Sequence, residues 1–146
     1  MTPAERLAFG AVELPEPEPF DERWYDAPGV LKPIEQLKQR KLSDLAALRY
    51  ARETSGFGGF RTDRESQALL TGAALAATMD AAYTVEWKGE AGWVTLNRAQ
   101  LLAAAQAVRT HVQACFSNEK AHAIAIEVLT DGQAVIAYDM TTGWPQ

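Results

Sequence analysis

The chain has 146 residues, of which 47% are hydrophobic and 23% charged. That is enough for one domain with a hydrophobic core and too little for two, and it excludes wholesale disorder. Nineteen acidic against fourteen basic residues leave a formal charge of -5, so a nucleic-acid partner, which calls for a basic face, is not expected. Cys115 is the only cysteine, which excludes an internal disulfide framework and a cysteine-only zinc site.

The opening MTPAERLAFGAVELPEPEPF has no basic segment followed by an apolar one, and so does not read as a secretory signal. No stretch approaches the roughly 18 apolar residues of a membrane-spanning helix. The expectation is a soluble protein, made in the cytoplasm and without membrane insertion. Thr2 and Pro3 suit the start of a short helical turn over residues 2–8, which Gly10 would stop. Then Val12 to Phe20 carries Pro15, Pro17 and Pro19 alternating with glutamates. Proline fixes φ and removes a backbone donor, so this stretch predicts an extended arm. Phe20, Trp24 and Tyr25 follow before Pro28-Gly29, and three aromatics on an arm need a surface. They either fold back onto the chain's own core or dock on a neighbouring subunit. Residues 1–33 are accordingly read as a docking arm and residues 34–146 as a compact domain.

Ile34, Leu37, Leu45 and Leu48 share one face of a helix predicted from Ile34 to about Glu53, which Ser55-Gly56-Phe57-Gly58-Gly59 ends. That glycine cluster lacks the rest of a phosphate-loop motif and reads as a turn. Thr62 and Glu65 match a capping box opening a second helix to about Met79, whose alanines and Gly72 suit close packing on another helix. Tyr83–Trp87 and Trp93–Leu96 alternate around Lys88-Gly89-Glu90-Ala91-Gly92, the pattern of a hairpin with a five-residue loop. A lone hairpin is marginal in water, so it must lean on helices.

Asn97 and Gln100 form a second capping box. Leu101, Ala105, Val108, Val112, Cys115, Glu119, His122, Ile126 and Leu129 then step by fours and threes along a helix from Arg98 to Leu129. Ser117-Asn118-Glu119 offers an alternative start that would split it in two. Asp131-Gly132 breaks the pattern, Ala134–Tyr138 suits a short helical turn, and Thr142-Gly143-Trp144-Pro145 closes the chain. The fold class is α+β: a two-stranded antiparallel hairpin packed on three helices, the last one long, preceded by an extended Pro-rich arm.

Chemistry is sparse. Cys115, Glu119 and His122, with His111 one turn earlier, have ligand-like spacing, but the two histidines lack a second ligand cluster, and core packing explains them better. Asp63 and Glu65 sit where a helix start favours carboxylates. Trp87, Trp93 and Trp144 could form a sugar platform, against which stands packing of the hairpin on the helices. No catalytic residue, cofactor or metal site is predicted, and the chain is not read as an enzyme.

The segments Thr62-Asp63-Arg64-Glu65-Ser66-Gln67, Val85-Glu86-Trp87-Lys88, Gly92–Leu96, His111–Phe116 and Ala137–Pro145 (AYDMTTGWP) resemble, in order and spacing, a bacteriophage family built on the domain of unknown function numbered 4376. The resemblance covers roughly Leu37 to Pro145. Relatives in that family often have a longer stretch before TDRESQ, with room for a strand pair; here only Gly56 to Arg61 remain. The resemblance implies a component of a phage tail, at the fibre or baseplate, contacting other tail proteins and residing in the virion after synthesis in the host cytoplasm. A tail-fibre assembly chaperone absent from the mature particle is the alternative. Phe20, Trp24, Tyr25, Val108, Val112 and Trp144 are the candidate interface residues. The heptad-like stripe predicts a homo-oligomer, a trimer in keeping with fibre symmetry.

Overall fold

The computed structural model describes Thr2 and residues 14–146. The expected helical turn over residues 2–8 lies outside the described residues, apart from Thr2. The elements in chain order are β1 (Tyr25–Ala27), β2 (Val30–Leu31), α1 (Ile34–Glu53), α2 (Arg64–Met79), β3 (Thr84–Gly89), β4 (Gly92–Asn97), α3 (Arg98–Glu127) and α4 (Gly132–Ala137). The class is α+β, with β3 and β4 forming the expected antiparallel hairpin from Thr84↔Asn97 to Gly89↔Gly92. Its connection is only Glu90-Ala91, tighter than the five residues expected. Gly92 takes φ +123, which a side chain would disfavour.

α3 is one unbroken helix of 30 residues, about 45 Å long at 1.5 Å per residue. The Asn97–Gln100 capping box forms as predicted, with Gln100 N–H donating to Asn97 Oδ1 and Asn97 N–H donating to Gln100 Oε1. Ser117 and Asn118 do not split the helix, because the stripe stays in phase through them.

The stripe on α3 builds two cores end to end. Towards its start, Leu101, Val108 and Val112 pack with Leu70 and Ala77 of α2, and Val85, Trp87 and Leu96 of the hairpin lean on them. Towards its end, Cys115 and Ile126 pack with Leu45 of α1 and with Trp144. The seam predicted for a partner helix is thus filled from within, by α1 on one half and α2 on the other.

Three local expectations are corrected. The residue capping α2 is Asp63, whose carboxylate accepts from Ser66 N–H; Thr62 is buried and its hydroxyl accepts instead from Gly56 N–H at 2.9 Å. Gly72 packs against nothing: a Cβ there would have nothing within 4 Å. Tyr25–Leu31, read as arm, forms the small β1–β2 hairpin instead. Between α1 and α2, in place of a strand pair, a single antiparallel bridge joins Phe57 and Phe60.

Candidate functional site

Two of the segments that carry the resemblance, Thr62–Gln67 and Ala137–Pro145, are engaged in holding the fold. Glu53, at the end of α1, has no exposed surface. Arg64 reaches it with two bonds, Nε to Oε1 at 3.0 Å and Nη2 to Oε2 at 3.2 Å. Arg49 pairs with it from one turn earlier on α1, and Gln67 donates to Oε1 at 3.2 Å. Arg49 also binds Glu119 of α3 at 2.8 Å. Gln67 closes the loop by donating to the Thr62 carbonyl. TDRESQ is therefore one bonded unit joining α1, α2 and, through Arg49, α3.

The closing segment docks on α3 through His122. A carbonyl only accepts, so His122 Nε2–H donates to Thr142 O at 2.8 Å, and Nδ1 accepts from the Tyr138 hydroxyl at 2.7 Å. Both ring nitrogens are committed, which leaves none for a metal. Asn118 donates to the same Thr142 carbonyl. Gly143 turns at φ +79, and a Cβ there would stand 2.5 Å from Asn118 Oδ1. Trp144 is thereby seated in the core, its Nε1–H donating to Met140 O at 2.9 Å.

His111 and Cys115 are also buried. His111 Nε2 faces the Arg52 carbonyl at 3.3 Å, its ring stacks on Phe57, and its Nδ1 has no partner among the described residues. Burial, and then the nearby Glu53 carboxylate, push the Cys115 thiol pKa up, which makes it a poor nucleophile. Among the described residues, no group of three His, Cys, Asp or Glu side chains gathers as a metal site would need.

An open groove of about 830 Å³ lies between α2 and β3. Tyr83, Val85 and Trp87 line one wall, Leu69, Gly72 and Ala73 the other, with Arg61 and Lys88 among its polar residues. Leu69 is 60% exposed and Trp93 68% exposed, with Lys88 Nζ 5.8 Å from the Trp93 ring centroid. Leu75 and Met79 of α2 are also exposed, and no charged residue lies between Ser66 and Met79.

The candidate interface residues from the sequence thus separate. Val108, Val112 and Trp144 are buried in the chain's own cores, so none of them presents a surface to a partner. Trp24 lies over α1, with Lys41 Nζ 5.6 Å from its ring, and the Tyr25 hydroxyl accepts from Gln133 of α4 at 3.3 Å. Phe20 stays exposed. Of the three tryptophans considered as a platform, Trp144 is buried and Trp87 half-buried, while Trp93 faces solvent and does not pack into the core as expected. Sequence reasoning missed Leu69, Tyr83, Arg61 and Lys88 as a group. The signal was there in the charge-free run of α2, which a helix with a solvent-facing side would ordinarily lack.

Comparison with curated proteins and with solved structures gives no match. The family model described as a domain of unknown function (DUF4376) matches residues 36–142, well over half of the chain, and the chain therefore belongs to that family.

Proposed function

We propose that this protein is a structural component of a tailed bacteriophage, a fibre or baseplate adaptor that docks onto neighbouring tail proteins. The observation that carries the reading is the open groove between α2 and β3, with its apolar margin along α2. Exposed apolar surface around a groove of this kind marks interaction sites in soluble proteins. The segments that carry the resemblance support it from the other side, since Arg64, Gln67 and Trp144 are committed to bonds within the fold, the first two with Glu53. The resemblance of TDRESQ and YDMTTGWP to phage tail proteins supplies the setting. On this reading the protein binds and does not catalyse, needs no cofactor, self-associates, and passes from the host cytoplasm into the virion tail. No helix among the described residues is long and apolar enough to cross a membrane.

Mass spectrometry of purified virions tests the proposal. Stoichiometric copies in the particle are expected. Recovery with unassembled fibre protein but absence from the virion would replace the adaptor reading with an assembly chaperone.

A further inference from the structure

Residues 14–20 read Leu-Pro-Glu-Pro-Glu-Pro-Phe, lie outside regular structure and are all exposed. In an extended backbone, the N–H and C=O of successive residues point to opposite edges. Prolines at 15, 17 and 19 therefore strip every donor from one edge. Leu14, Glu16, Glu18 and Phe20 keep theirs on the other. Such a segment can join an open sheet edge but cannot pass the pairing on to a further strand.

The fold contains an edge of this kind. β3 pairs with β4 on one side alone, and its other side borders the groove, whose second wall is α2. No backbone hydrogen bond from β3 to an element other than β4 occurs among the described residues. The faces also match. Val85 and Trp87 point inward on β3, while Glu86 and Lys88 point outward. A third strand alternating Pro and Glu would set its proline rings beside Trp87 and the bare Gly72, and its carboxylates beside Lys88 and Arg61. Asp63, Glu65 and Glu86 also line the groove, three acids against the two bases, so the donor pattern and not net charge selects the occupant.

We propose that the groove between α2 and β3 takes Leu14–Phe20 of a second copy of this chain as a third strand. The chain's own arm is badly placed for it. Trp24 sits over Lys41, about 18 Å of helix before Glu53, near which the groove begins. Seven extended residues span only about 23 Å, so the segment would be used up in reaching the groove and could not lie along it. The contact joins different surfaces on the two copies, and so builds a ring where the rotation closes. The proposal names an occupant for the same groove that carries the proposed function, and it is tested on the purified chain, so its failure leaves the phage-tail reading to be decided by the virion measurement.

Two measurements on the full-length protein test it. In sedimentation velocity up to about 1 mM, the wild type self-associates. Glu18→Pro, which removes a donor from the working edge of an exposed segment, weakens that association at least about tenfold, whereas Glu18→Gln, which keeps the donor, changes it less than about threefold. A wild type that stays monomeric, or a Glu18→Pro variant that associates as well as wild type, overturns the proposal. In the second measurement Glu18→Cys protein is mixed with Lys88→Cys protein and oxidised. A mixed disulfide dimer should exceed that formed with Lys120→Cys, on the far end of α3, and should be suppressed by the free peptide Leu-Pro-Glu-Pro-Glu-Pro-Phe. A yield equal to the Lys120→Cys control, or a disulfide closing within one chain of the double variant, overturns it.

Discussion

Glu53 shows how a single carboxylate can be buried with its charge answered from within the fold. It has no exposed surface, yet Arg49, Arg64 and Gln67 supply its donors, so the charge is compensated where it stands. Glu53→Ala leaves Arg49 with Glu119 and lets the half-exposed Arg64 relax into water. The expected cost is about 2–3 kcal/mol, below the usual loss for an orphaned buried ion, measurable as a lowered urea midpoint. His122→Phe keeps an aromatic ring, slightly larger, but removes both hydrogen bonds to the closing segment. A loss of about 1–3 kcal/mol should appear together with a weakened near-ultraviolet circular dichroism signal as Trp144 loosens. Cys115 is fully buried with its thiol pKa raised, so it should react with a thiol reagent only as fast as the molecule opens. A fast reaction in native buffer would contradict that burial.

Among the elements, the helix starts are where the sequence reads most directly. Asn97→Ala should cost about 1 kcal/mol, because the capping box of α3 satisfies two otherwise orphaned donors, and thermal melting reads the change. Asp63 gives a pH prediction. The Ser66 hydroxyl first, and then the Ser66 N–H, hold its pKa below the ordinary carboxylate value. The folded state thus binds that proton less readily than the unfolded chain. Its contribution is complete above the unfolded value and is lost as pH falls through the lowered folded one. Asp63→Asn, still a cap but without the charge, should show a shallower decline of stability on acidification than wild type. Reading α1 was harder. Ile34, Leu37, Leu45 and Leu48 mark its apolar face, and Lys41 and Glu53 extend the buried side although both are charged. Lys41 is buried because its stem packs inward while Nζ donates to Ile136 O at 2.8 Å.

In the whole molecule, the long seam of α3 and the groove beside α2 exchange the roles that periodicity alone would give them. The seam looks like a surface awaiting a second copy, but α1 and α2 occupy it. The α2 face around Gly72 looks like a buried contact, but it is open. Leu101→Ala should therefore destabilise the isolated chain by about 2–5 kcal/mol, as a core truncation does. Trp93→Ala, on the open surface, should move stability by less than about 0.5 kcal/mol in the same urea titration. A large loss at Trp93 would mean that the hairpin depends on it for packing.

The sequence by itself determined the α+β class, the extent of α1, the start of α3, the hairpin and the Asn97 cap. Each of these follows from side-chain period and backbone chemistry within a few turns of chain. It also carried the family, through residues now seen bonded to one another across long separations. Only the tertiary structure decided which apolar faces were covered. Periodicity marks a face as one that avoids water, but it does not say whether the cover is the same chain or another. That choice depends on where α1 and α2 come to rest on α3, and their placement left β3 with an open edge.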